Sequence, residues 1–124
     1  MQVIPAVNCV DFLCVREKLE QIKGFAKWAH IDVADGKFTK NETWGNRSGA
    51  PSLLKPYTSD LNLEVHLMTE KPEEFVKEWI EAGARRVIAH IEILGPPKLM
   101  TSDVVNLVEV GAALKPETEI SRLI

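Results

Sequence analysis

Trp28-Ala29-His30-Ile31-Asp32-Val33, closed by Asp35-Gly36, is the stretch on which the fold turns. Ala29, Ile31 and Val33 fall on one side of an extended chain, and His30 and Asp32 on the other. The apolar side suits a layer of helices, which leaves the polar side facing inward. Asp35-Gly36 suits a turn that needs a positive φ.

Working outward, Leu61 to Met68 repeats the pattern, with Leu63, Val65 and Leu67 against Glu64, His66 and Met68. Arg86 to Ile91 and Val108 to Leu114 read as further strands, and Gln2 to Val7 as a first one. Helical segments lie between them. Asp11 is placed to cap a helix whose apolar positions Phe12, Val15, Leu19 and Ile22 recur at helical spacing, with Gly24 as its stop. Pro51 to Tyr57 predicts a short helix, and Glu70 to Ala82 a longer one with acids in its first turn and Gly83 past its end. Asp103 to Leu107 is weakly helical, and Pro116-Glu117-Thr118-Glu119 reads as another helix start. Strands alternating with helices predict βαβ units with right-handed crossovers. The expected architecture is α/β: an incomplete (β/α)8 (TIM) barrel of about five parallel strand-helix units, with residues 1–124 as one domain.

Composition narrows the function. With 124 residues and 45% apolar content the chain can bury a core. A net charge of −3, with Lys and Arg scattered, gives no basic footprint for nucleic acid. No run approaches a membrane span, and the opening MQVIPAVNCV lacks the pattern of a secretion signal, so a cytoplasmic location is expected. Cys9 and Cys14 are then expected as two reduced, partly buried thiols.

The three histidines fall near the C-terminal ends of predicted strands, where barrels of this kind do their chemistry. His30 and Asp32 share a face, as do Glu64, His66 and Met68, and His90 and Glu92. Burying such groups is costly unless they are paired or hold a metal. His30, Asp32 and His66 form a mixed nitrogen and oxygen set suited to a divalent ion, Zn, Fe, Mn or Co, without choosing among them. The alternative is a set of mutually satisfied core polar groups. His90 with Glu92 reads as a supporting hydrogen-bonded pair.

These residues also carry a resemblance. The run from His30 to Phe38, followed by Asn41, resembles the second-strand motif of the ribulose-phosphate 3-epimerase family, and Glu64 to Met68 resembles its third-strand motif. Pro5-Ala6-Val7 with Asp11-Phe12 is similar to the first strand and turn. Ala82-Gly83-Ala84 with His90-Ile91-Glu92 is similar to the fourth unit, and Gly111 to Thr118 to the fifth.

The resemblance implies a (β/α)8 barrel that interconverts D-ribulose 5-phosphate and D-xylulose 5-phosphate by moving a proton at C3. It implies Asp32 as a catalytic acid/base and metal ligand, His30 and His66 as further ligands, and Met68 and Ala6 as positions lining the substrate. Ala6 stands where the family has a serine, and Ala34 where it has a methionine. The family's second catalytic aspartate and its phosphate-binding loops belong to later strands. On that basis the chain is expected to be inactive alone and to associate with itself or with a complementary barrel segment, since strand edges recruit partners. The other readings are a non-catalytic barrel fragment and a small module that binds a metal or a sugar phosphate.

Overall fold

The computed structural model describes residues 1–94 and 106–123. Five strands form one all-parallel sheet in chain order: β1 (Ala6–Val7), β2 (Trp28–Ala34), β3 (Asn62–Met68), β4 (Arg86–His90) and β5 (Glu109–Ala113). Helices α1 (Phe12–Ile22), α2 (Glu73–Glu81) and the single turn α3 (Ile91–Leu94) alternate with them, with 3-10 segments at Pro51–Tyr57 and Ile120–Leu123. This is the arrangement of an incomplete (β/α)8 barrel, as the alternation of patterns predicts.

The sidedness of the strands holds. Ala29, Ile31, Val33, Leu63, Val65 and Leu67 are all buried, in a cluster with Val15, Leu19 and Ile22 from α1 and Val76 and Trp79 from α2. Trp79 is the largest fully buried side chain among the described residues. Asp11 caps α1, accepting a hydrogen bond from the Cys14 amide at 2.9 Å. Gly83 follows α2 with φ 102°, and Gly36 turns the chain after β2 with φ 75°. Both values lie where a side chain is strained.

Several local expectations are corrected. The first strand is two residues long rather than six, and Pro5 just before it lacks the N–H a longer ladder would use. The helix expected from Glu70 begins at Glu73, after Pro72. Gly24 does not end α1 through a left-handed turn: the helix closes at Ile22, whose carbonyl accepts from both Phe25 and Ala26. The fourth strand stops at His90 rather than Ile91, and Glu92, expected to share the face of His90, lies in α3 instead. The segment after Pro116 makes a turn and then a 3-10 helix. Most of the expected Asp103–Leu107 helix falls outside the described residues. Cys9 and Cys14 are not reduced thiols. The turn from β1 into α1 brings their Cα atoms to 5.8 Å, and they form a disulfide.

Candidate metal centre

Strand register assembles the site. In the β2–β3 ladder Asp32 lies opposite His66 and His30 opposite Glu64, so inward side chains from two adjacent strands meet. His30 Nε2 is 3.0 Å and His66 Nδ1 3.3 Å from the same carboxylate oxygen, Oδ1 of Asp32. One donor atom from each of the three residues falls within a 4.8 Å group. The outer nitrogens of both histidines are already engaged. His30 Nδ1–H donates to Glu64 Oε1 at 2.6 Å, and Glu64 Oε2 accepts from Arg86 Nη1 at 2.5 Å. His90 Nδ1–H donates to Glu92 Oε2 at 3.2 Å. Neutral His90 then has only a lone pair on Nε2, which accepts from His66 Nε2–H at 2.9 Å across two stacked rings.

Those assignments leave a bare lone pair on each inner nitrogen of the neutral histidines, aimed at an ionised carboxylate oxygen. Three acceptors then converge, and something positive belongs between them. In the metal-free chain a proton on His30 serves. A divalent cation fits as well: in a tetrahedral site with bonds of about 2.0–2.2 Å, ligand atoms stand roughly 3.3–3.6 Å apart, close to the separations from Asp32. Carboxylate and imidazole partners on the outer nitrogens are the usual means of aiming such ligands.

The charges agree with this geometry. The hydrogen bond to Asp32 raises the His30 pKa above its ordinary value, with burial opposing and Glu64 adding to the rise. Burial pushes Asp32 up, but hydrogen bonds from His30 and Asn8, with the His66 imidazole alongside, outweigh it and hold the carboxyl well below the usual range. Burial and the neighbouring His66 lower His90. The proton on His30 stabilises the metal-free fold fully below the ordinary histidine pKa of 6.5, and that contribution is lost as pH rises through the raised value. A metal held there would compete for the same position, so its binding would strengthen over the range in which the proton leaves.

Glu92 closes the far end of the network. Its Oε1 accepts from the Lys115 amide and the Thr118 hydroxyl, both at 2.6 Å, tying the segment after β5 to His90. Burial raises the Glu92 pKa, yet these bonds bring it down from 4.5 to about 2. A depressed carboxyl contributes stability above its unfolded pKa and loses it as pH falls through the folded one. Urea midpoints measured from pH 5 to pH 2.5 are therefore expected to fall more steeply in the wild type than in Glu92→Gln, whose amide keeps an acceptor but cannot titrate. Parallel curves would remove Glu92 from this role.

Sequence reading located His30, Asp32, His66 and the His90–Glu92 pair, and the structure brings all five into one network. It places Met68 two residues beyond His66 on the same face of β3, half-buried beside Ala34. Ala6 is exposed at the β1 edge, opposite His30. Other contributors were not singled out as site residues from the sequence. Glu64 and Arg86 support His30, Asn8 donates to Asp32, and Phe38 packs on His90 at 4.9 Å while the Lys115 ammonium sits 4.1 Å from its ring. The alternation had placed Glu64 on the inner face, and that was its available signal.

Comparison with known proteins identifies the frame. The model of the ribulose-phosphate 3 epimerase family matches residues 2–124. The chain belongs to that family. Ribulose-phosphate 3-epimerase of Chlamydia trachomatis is 37% identical over 120 residues, covering 95% of this chain and 50% of the relative. The enzymes of the same name from Synechocystis and Bacillus subtilis are each 32% identical, over 98% and 97% of this chain and 53% and 55% of their own lengths. The chain thus spans about half the length of these epimerases. Among the described residues no helix is long and apolar enough to cross a membrane.

Proposed function

We propose that this chain forms the metal-holding, proton-transferring half of a ribulose-phosphate 3-epimerase site, with D-ribulose 5-phosphate and D-xylulose 5-phosphate as its sugar phosphates. The observation that carries the proposal is the convergence of His30 Nε2, His66 Nδ1 and Asp32 Oδ1, with the outer nitrogen of each imidazole committed elsewhere. A bound divalent cation, Zn, Fe, Mn or Co, would act as a Lewis acid on the charge that develops at the sugar's carbonyl oxygen.

The chain's own residues do the rest. His30 and His66 are aimed by Glu64 and His90 and need no reorganisation to act as ligands. Asp32 Oδ1 lies in the candidate ligand cluster, while Oδ2, which accepts from Asn8 at 3.2 Å, would take or return the proton at C3. Met68 and Ala6 line the approach to it.

Inversion at C3 needs an acid on each face of the sugar. Among the described residues the other carboxylates around Asp32 are engaged: Glu64 by Arg86 and His30, Glu92 by Lys115 and Thr118, and Asp35 by three backbone amides. On this reading the described residues supply one of the two acids; a complementary barrel segment brings the second acid and the phosphate contacts, while self-association in a cytoplasmic homo-oligomer covers strand edges without completing the site. Titration with Co²⁺ followed by d–d absorption is expected to show one site per chain. Epimerisation is expected only when a polypeptide with the remaining half of an epimerase is added. A chain that takes up no divalent metal would overturn the metal reading, and turnover by the chain alone would overturn the division of acids.

A further inference from the structure

We infer that Asn8 is a positioning residue for Asp32 and that the Cys9–Cys14 disulfide determines whether it is in place, making the carboxylate's geometry sensitive to thiol redox state. The inference rests on the proposed role of Asp32 as ligand and proton carrier, but its structural half can be tested without metal.

Register and the bridge fix Asn8 from two sides. β1 pairs Ala6 with His30 and Val7 with Ile31, and the next step along the same ladder sets Asn8 beside Asp32. Its side-chain amide donates to Asp32 Oδ2 at 3.2 Å, the oxygen that His30 and His66 leave free. A carboxylate held only at Oδ1 can swing about its χ2 torsion. Asn8 stops the swing and fixes where Oδ2 points.

Asn8 is itself exposed and stands beyond the last paired residue of a two-residue edge strand. The next residue in the chain is one end of the bridge. Buried Cys9 is bonded to Cys14 in the first turn of α1, and the Cys9 carbonyl accepts from the Trp44 amide at 2.7 Å. Trp44 lies against both Phe12 and Trp79. The disulfide thus ties the residue after Asn8 to a helix seated on the core.

The balanced step is ordinary exchange. A thiolate of a dithiol reductant attacks one sulfur of the bridge, the mixed disulfide resolves through the second thiol, and two electrons and two protons convert the cystine to two cysteine thiols while the reductant becomes a disulfide. The side chain of Cys14 is not fully buried, so one sulfur is within reach. In a reducing compartment, a bridge of this kind serves regulation more readily than architecture.

The test uses the full chain in oxidised form, after reduction with dithiothreitol and removal of the reagent under argon, and as Cys14→Ser, with Asn8→Ala as control. The first measurement is the Asn8 side-chain NH2 resonance in ¹⁵N-labelled metal-free protein. It is expected at a hydrogen-bonded position when oxidised, and to move toward the free-amide position in the reduced and Cys14→Ser forms. The second is the Co²⁺ Kd and d–d spectrum. Binding is expected to weaken about tenfold on reduction, as when an outer partner of a metal ligand is lost. Asn8→Ala is expected to show the weaker value in both redox states. An amide resonance that ignores reduction overturns the inference, as does a Co²⁺ redox effect that persists in Asn8→Ala. If the amide moves while neither form takes up Co²⁺, the positioning of Asn8 stands and the metal reading fails alone.

Discussion

His66→Ala is expected to reduce the affinity of the chain for Co²⁺ or Zn²⁺ by more than about 100-fold, beyond the roughly 10–100-fold typical for loss of an outer partner of a ligand. Alanine leaves two donors, His30 Nε2 and Asp32 Oδ1, and two adjacent ligands cannot enclose a cation that prefers four. It also leaves His90 without the donor to its Nε2, so the neighbouring strand cannot substitute directly. The fold is expected to survive, because His66 lies on the inner face and is not among the buried residues that pack against α1 and α2. Calorimetric titration with circular dichroism as a control checks the result. Unchanged stoichiometry and affinity in a folded variant would mean that the metal sits elsewhere or nowhere.

Glu64→Ala is expected to strike stability and metal binding together. Glu64 is only 6% exposed, yet it accepts from Arg86 on one oxygen and His30 on the other. Removing one member of a buried ion pair strands the remaining charge, at about 3–5 kcal/mol in typical cases. Two features soften that here. His30 can release its proton, and Arg86 keeps Glu109 and contact with the Trp28 ring while remaining 28% exposed. A loss of about 2–3 kcal/mol is the resulting estimate, a sizeable part of the roughly 5–15 kcal/mol that a domain of this size commands. Metal affinity is expected to fall about 10–100-fold, because the His30 ring loses the partner that aims it. Glu64→Gln, which can still accept from Arg86, should recover much of the stability and less of the affinity. Chemical denaturation of the three proteins, with and without Zn²⁺, separates the two effects. Equal midpoints would show that Glu64 is dispensable.

How far the sequence discloses this site depends on what kind of contact each residue makes. His30 with Asp32, and Glu64 with His66, are legible because they are neighbours at spacing two within a strand, where alternation alone puts side chains on one face. The parallel sheet follows from the same alternation and the intervening helices. Arg86 is not legible as the partner of Glu64, because the two stand 22 positions apart and meet only through the register that the β3–β4 crossover sets. Asn8 lies past the end of a strand that is shorter than its apolar run suggests, and hydropathy does not report which way such a residue faces. Cys9 and Cys14 look like two thiols to a count that weighs only their number, whereas a tight turn into a capped helix brings them within bonding distance. Glu92 reached its expected partner from an unexpected backbone, since a single helical turn after β4 returns its carboxylate to His90.

The order of the sheet bears on how the molecule comes to be made. Every strand pairs with its successor in the chain, so no pairing must wait for a distant segment to arrive, and the cost of closing loops grows only slowly with their length. The longest ladder, seven register pairs between β2 and β3, is also the one that carries His30, Asp32 and His66. During synthesis the chain emerges from its N-terminus, so the strands that carry these three side chains leave the ribosome before β4 does. On the proposed metal reading, a cation held by them would pin β2 to β3 and leave the outer strands to add to that pair.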